Sequence, residues 1–251
     1  MASSPPARCC TVGVHHEGTP TGKMIKVGQH DAYLATAPAE IARKETGLLY
    51  VPDVLGIWDN SMLLADEFAS EGYTTLIVDL FYGDAIEVNK FNEVNLPDWM
   101  QNGRNGAGGH TTKEIDPIMK EALAYMKTEM GFSHIGAVGY CLGAKHLVRH
   151  YQNGIEVGFI AHPSFVEEEE LEAITGPLSI AAAETDSIFP SEKRYQSEEI
   201  LKKRGNVFQI NLFSGVVHGF AVRCDLSKKD ERFAKEQAFY QAVAFFDNWL
   251  V

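Results

Sequence analysis

The sequence predicts an α/β fold: a mostly parallel, doubly wound sheet with helices on both faces. Three observations carry that reading. Short apolar and β-branched runs alternate with helix-like stretches along the chain, the pattern of strands joined by crossover helices. Several of those runs, such as Leu48-Leu49-Tyr50-Val51, are apolar throughout, as expected of strands buried on both faces. A chain of 251 residues that is 45% hydrophobic can bury a full core, and we take 1–251 as a single domain.

The elements follow in order. Roughly the first 30 residues, rich in Pro, Gly, Thr and His, read as an irregular lead. Tyr33-Leu34-Ala35-Thr36 is a first strand, and Leu48 to Val51 a second that enters a loop. Asn60 to Glu71 has helical spacing, with Leu63, Leu64 and Phe68 on one face and Gly72 in the C-cap position. Thr74 to Val78 is the next strand, ending at Asp79. Residues 83–112, rich in Asn and Gly, look like no regular core element and read as a lid or pocket wall over the sheet edge. Lys113 to Met130 is an amphipathic helix. Strands follow at His134 to Val138, Val157 to Ala161, Leu178 to Ala183 and Val207 to Phe213. Helices follow the first of these, to about His150, and then at Ser191 to Lys203 and Lys228 to Leu250. The acidic run Glu167 to Glu170 reads as a solvated helix start.

Composition removes several classes of function. The net charge is −12, which opposes binding to nucleic acid or to an anionic membrane surface. No apolar run reaches the roughly 18–20 residues that span a bilayer. Met1 to Pro6 has neither a basic start nor an apolar segment of the secretory kind. The expectation is therefore a cytoplasmic protein. Its four cysteines, Cys9, Cys10, Cys141 and Cys224, should be free thiols. No CxxC or local His/Cys cluster has zinc spacing, so neither metal nor cofactor is expected.

The chemistry centres on Gly139-Tyr140-Cys141-Leu142-Gly143. An apolar strand runs into it and a helix runs out, and glycines flank the turn. That is the layout of a nucleophile elbow, with cysteine at the apex where most α/β-hydrolases carry serine. A cysteine after a buried strand is ordinarily a small core residue, but the downstream residues favour catalysis. In this fold the acid and then the histidine follow the nucleophile, each after a strand. Glu184-Thr185-Asp186 follows one strand and Ser214 to Phe220, with His218, follows the last. Cys141, Asp186 and His218 then form the expected triad, with Glu184 a weaker competitor for the acid. His218 would take the thiol proton and Asp186 would orient the imidazole.

Gly-Tyr-Cys-Leu-Gly, the following Glu-Thr-Asp and His218-Gly-Phe-Ala-Val-Arg together resemble the dienelactone hydrolase family. The lead, Cys9-Cys10 and His16 to Gly22, is similar to fungal members of it. The resemblance covers essentially the whole chain. It implies an eight-stranded α/β-hydrolase that cleaves an ester or lactone through an acyl-cysteine. It also implies an oxyanion hole from the backbone N–H groups of Leu142 and Val54. It places a thiol-modulating carboxylate at Asp53, one methylene shorter than the family's glutamate. Bacterial members hold a substrate carboxylate with two arginines. Here Asp79 to Asp84 contains no arginine, and Arg223 falls one residue beyond the expected second position. A neutral or aromatic, polyketide-type ester or lactone fits better than a small carboxylate. Trp58, Phe81, Tyr82, Trp99, Phe189 and Phe220, with Arg223, are candidate substrate-binding residues. The expected partner is that small molecule, and the expected state a monomer or homodimer. The same site could instead run a lyase or isomerase step, or the scaffold could be a non-catalytic binder.

Overall fold

The computed structural model describes residues 1–104, 106 and 108–250. Its sheet has eight strands: β1 (Lys23–Val27), β2 (His30–Ala35), β3 (Thr46–Val51), β4 (Thr74–Val78), β5 (His134–Tyr140), β6 (Val157–Ala161), β7 (Leu178–Thr185) and β8 (Phe208–Val217). They are ordered β1-β2-β4-β3-β5-β6-β7-β8. The β1–β2 and β2–β4 ladders are antiparallel, and the other five are parallel. β3 and β6 are buried at every position, which is why their sequences are apolar without alternation.

The helices are α1 (Asp59–Ser70), α2 (Leu96–Asn102), α3 (Thr112–Thr128), α4 (Gly143–Arg149), α5 (Glu168–Glu172), α6 (Ser191–Arg204), α7 (Phe220–Arg223) and α8 (Lys229–Trp249). Two buried clusters divide them. On one face Ile115, Ile118 and Met119 of α3 pack with Ala144 and Leu147 of α4 and Leu201 of α6 against Leu49, Leu76 and Ile180. On the other, Leu64 and Phe68 of α1 and Ala238 and Phe246 of α8 pack against Tyr50, Ile77 and Phe159. The expected α/β-hydrolase architecture, helices on both faces of a mostly parallel sheet, is the one observed.

Two differences from the sequence reading bear on the site. The lead is not irregular to residue 30, because β1 lies within it. Lys23-Met24-Ile25-Lys26-Val27 buries only Val27 fully; as a solvated edge strand it lacks the apolar signal that marks the central ones. β7 and β8 also run further than the apolar runs suggest, to Thr185 and Val217. Asp186 and His218 are therefore the first residues beyond their strands.

Within 83–112, of which positions 105 and 107 lie outside the described residues, α2 starts on Asn95, whose side chain accepts from Asp98 N. The segment is organised around buried Asp84. Its carboxylate accepts from Arg104 N (2.6 Å), Arg104 Nε (2.8 Å) and His110 Nε2 (2.9 Å). Trp99 Nε1 donates to the Asp84 carbonyl at 2.8 Å. These bonds pull Asp84 below the usual carboxylate range, although burial alone would raise it.

Candidate active site

Cys141 stands where β5 turns into α4. Its φ is +52°, a left-handed conformation that costs a non-glycine residue roughly 1–3 kcal/mol. Cys141 N donates to Ala161 O (3.2 Å), while Cys141 O accepts from Ala144 N (3.1 Å) and Ser164 N (3.0 Å). The flanking glycines serve close approach rather than an unusual φ. A Cβ on Gly143 would stand 2.0 Å from Val51 O, and one on Gly139 would stand 2.9 Å from Gly143 O. Both distances are too short for any side chain.

Asp186 and His218 meet as neighbours at the ends of adjacent parallel strands. His218 Nδ1 donates to Asp186 Oδ2 at 2.8 Å. The other oxygen, Oδ1, accepts from Ile188 N (2.8 Å) and Phe189 N (3.1 Å). The aspartate is thereby fixed on one side and the imidazole aimed on the other. Cys141 Sγ, Cys10 Sγ and a ring nitrogen of His218 all lie within 4.8 Å of one another. Cys141, Asp186 and His218 are 0%, 6% and 3% exposed, so this chemistry sits in a dry, low-dielectric setting.

That setting makes the charges interdependent. Burial alone would raise the Cys141 thiol, but the neighbouring Cys10 thiol and the charge on His218 outweigh it and hold the thiol well below its usual range. Burial would likewise lower His218, yet the Cys141 thiolate and the Asp186 bond push it up to about 10. Both directions favour a thiolate–imidazolium pair. Among the described residues, neither the Leu142 nor the Val54 N–H donates a hydrogen bond, which leaves both free to receive a developing oxyanion. Leu142 N lies at the amino end of α4.

Asp53 is buried and faces Arg223 rather than solvent. Arg223 Nη1 bonds Asp53 Oδ2, and Leu55 N donates to Asp53 Oδ1 at 2.9 Å. Burial raises Asp53 to about 6 against the pull of Arg223. Arg223 also donates from Nε to Val12 O (3.0 Å) and from Nη2 to Cys9 O (3.3 Å). It therefore ties the loop after β3 to the lead. The lead is stitched further across the sheet's carboxyl edge: Ser3 N to Val166 O, Ser4 N to Ile188 O and Val14 N to Arg223 O. Asn60, fully buried at the start of α1, bonds Val14 O, Val222 O and His16 N.

The aromatic candidates divide. Phe189 follows Asp186 and donates its N–H to it. Phe220 packs its ring 5.8 Å from that of His162. Half-buried Trp58 meets His15 of the lead edge-on. Phe81 and Trp99 pack on each other and on His110 inside the 83–112 segment. Tyr82, 46% exposed, leans on His30 of β2, toward the antiparallel end of the sheet. A cavity of about 330 Å³ lies between 83–112 and α4, with Met100, His110, Leu142 and Phe165 in its wall. A second, of about 240 Å³, lies under the lead and reaches His218, Gly219 and Arg223.

Two site residues escaped the sequence reading. Cys10 places its Sγ 3.5 Å from His218 Nε2, across a separation of 208 residues that no local pattern spans. His162, just past β6 with φ +39°, is fully buried with its ring 5.0 Å from that of His218. Among the described residues neither of its ring nitrogens has a partner. Burial, helped by the charge on His218, lowers it well below the usual histidine range, so it packs as a neutral ring. The only sequence signal for it was a position at a strand's carboxyl end.

Comparison with known proteins gives the family. The model of the dienelactone hydrolase family matches residues 30–250. The chain is 44% identical over 252 residues to Hydrolase pyvD of Aspergillus violaceofuscus, covering 100% of this chain and 99% of that one. It is 33% identical over 258 residues to Dienlactone hydrolase 1 of Gibberella moniliformis, covering 100% and 96%. Among solved structures, a Klebsiella pneumoniae protein described by the same family name superposes with a TM-score of 0.72 at 12% identity, over 91% of this chain and 99% of that one. Esterase 2 of Thermogutta terrifontis gives 0.68 at 14% identity, over 93% and 97%. These two similarities speak to the fold.

Proposed function

The chain belongs to the dienelactone hydrolase family and is a hydrolase, and from that premise we propose that it cleaves an ester or lactone through an acyl-cysteine formed on Cys141. The observation that carries this is the hydrogen bond of 2.8 Å between His218 and Asp186, with Cys141 Sγ within 4.8 Å of the His218 ring.

The Cys141 thiolate attacks the carbonyl carbon. The new oxyanion is received by the Leu142 and Val54 N–H groups, whose fixed dipoles need no reorganisation as charge develops. His218, already protonated, gives its Nε2 proton to the departing alkoxide. Water then enters, His218 takes its proton, and the thioester is hydrolysed. Asp186 holds the ring in the tautomer and plane that both steps need. Asp53 acts on the thiol indirectly. It neutralises Arg223, whose charge would otherwise favour the thiolate without balance.

The substrate we propose is a neutral or aromatic, polyketide-type ester or lactone, within fungal secondary metabolism. Each of the three nitrogens of Arg223 is already engaged with Asp53, Cys9 or Val12, which disfavours a carboxylate clamp there. The wall of Met100, Leu142 and Phe165 offers apolar contact next to the elbow.

The test is hydrolysis of p-nitrophenyl acetate by the wild type and Cys141→Ala, with mass spectrometry of the quenched wild type. Turnover and an acetylated Cys141 peptide are expected in the wild type, and neither in the variant. Equal rates in the two proteins would overturn the reading. Solvent oxygen found in the acid product separates hydrolysis from a lyase or isomerase step.

A further inference from the structure

One group in the buried cluster forms and breaks no bond in the ester hydrolysis set out above: the Cys10 thiol, which serves there only as a neighbour of the nucleophile. It comes from the lead, while its two neighbours come from strand ends. We propose that Cys10, Cys141 and His218 form a binding site for a divalent cation of the zinc class, and that its occupancy turns the hydrolase off. The second half of that statement rests on the acyl-cysteine reading; the first does not.

The donor set is two sulfurs and one imidazole nitrogen. That is a zinc set of the kind that leaves a fourth position open to water or another ligand. A tetrahedral ion at ordinary zinc–sulfur and zinc–nitrogen bond lengths would hold such donors about 3.6–3.8 Å apart. Cys10 Sγ and His218 Nε2 stand at 3.5 Å, and all three donor atoms fall within 4.8 Å of one another. Side-chain adjustments of well under 1 Å per donor would close the set around an ion.

The surroundings of His218 favour the same use. Metal-bound histidines usually donate their other ring N–H to a carboxylate, which fixes the tautomer and makes the ligand more basic. His218 has that arrangement: Nδ1 is on Asp186 and Nε2 faces the sulfurs. Two thiolates cancel the ion, and the nearby guanidinium of Arg223 is already paired with Asp53. The absence of oxygen donors among the three selects a soft or borderline ion over magnesium or calcium. The cavity of about 240 Å³ beneath the lead, bounded by Val12 and Gly13, reaches one of the three donors, His218.

Binding is an exchange of protons for metal. With Cys141 as thiolate, the cluster carries one proton on Cys10 and one on His218. Both leave to solvent as the ion bonds two sulfurs and one nitrogen, so affinity rises with pH. Once bound, the ion holds the Cys141 lone pair that would attack the carbonyl and the His218 nitrogen that would move the proton.

The experiment titrates the full chain, reduced and chelator-treated, with cobalt(II) alone and with zinc(II) alone. Binding is read by thiolate-to-cobalt charge-transfer absorption and calorimetric stoichiometry, and hydrolysis of p-nitrophenyl acetate is followed in parallel. We expect one ion per chain, a charge-transfer band, and loss of hydrolysis on zinc addition that a chelator reverses. Cys10→Ser should weaken the charge-transfer band and raise the zinc inhibition constant, measured against its own uninhibited rate, about 100-fold. Cys9→Ser, changed at the neighbouring half-buried thiol, should behave as the wild type. Inhibition of Cys10→Ser at the wild-type zinc concentration, or cobalt binding without thiolate charge transfer, would overturn the site. Cys10-dependent binding that leaves hydrolysis untouched would overturn the off-switch. No hydrolysis in metal-free wild type would strike the acyl-cysteine reading alone, because the spectroscopic arm still decides the metal site.

Discussion

The buried thiols of this protein are framed by two kinds of structure. On one side stand the ends of β5, β7 and β8, which carry Cys141, Asp186 and His218. On the other lies the N-terminal lead, which carries Cys9 and Cys10 and is tied down in part through the side chains of Arg223 and Asn60. The first side is positioned by parallel sheet ladders, with β5 and β7 paired on both sides and β8 paired along β7. The second is positioned by a few isolated backbone–backbone bonds and by the buried side chains of Arg223 and Asn60. The difference teaches that the proposed triad is set by the sheet itself, whereas the roof above it depends on polar anchors that single substitutions can remove.

Breaking the strand-end side should have the largest effect. Cys141→Ala and His218→Ala should each lower turnover of p-nitrophenyl acetate by at least about 10⁴-fold, with unchanged circular dichroism. Wild-type turnover in either variant would remove the triad. Asp186→Asn keeps the shape but loses the charge that orients the imidazole, and about 10³–10⁴-fold should be lost from kcat. A kcat within tenfold of wild type would hand the acid's role to another residue.

The lead side should answer in stability instead. Arg223→Met leaves Asp53 buried without its partner. We expect a loss of about 3–5 kcal/mol in denaturant unfolding, together with faster proteolysis ahead of Lys23. A variant as stable as wild type would show that this pair is not what holds the lead. Asn60→Ala strips the bonds to Val14, Val222 and His16 and should cost about 1–3 kcal/mol. Its hydrogen exchange should quicken at His16 while the elbow stays protected; faster exchange at Cys141 as well would mean that the two sides are one cooperative unit.

A last comparison uses the pH response. His218 is raised in the fold to about 10 from an ordinary 6.5. Its contribution to stability is therefore complete below the unfolded value and is lost as pH rises through the folded one. Denaturant titrations at pH 7 and above pH 10 should show a decrease in wild type that Asp186→Asn reduces. A decrease of the same size in that variant would place its origin elsewhere.

Much of the strand-end side was legible in the sequence. Apolar runs ending at a Gly-flanked cysteine, an aspartate and a histidine are local patterns, because parallel strands are buried on both faces and their carboxyl ends open into loops. The belonging of the whole chain to one family was legible for the same reason: the motifs are short and contiguous. What the glycines do at the elbow was not. The sequence shows only that they flank the turn; the structure puts the positive φ on Cys141 and uses Gly143 to clear Val51 O. β1 was missed because an edge strand shows lysines to water.

The sequence by itself determined the alternation of strands and helices, the elbow and the order of the three reactive residues. Each strand, each helix and the elbow is written within a dozen or so neighbouring positions, where backbone geometry imposes its own period, and the order is read from one such segment to the next. Only the tertiary structure decided that Cys10 meets His218 across 208 residues and that Arg223 meets Asp53 across 170. Such contacts follow from how the lead packs over the finished sheet and from the need of a buried charge for a partner. No period or spacing along the chain encodes them.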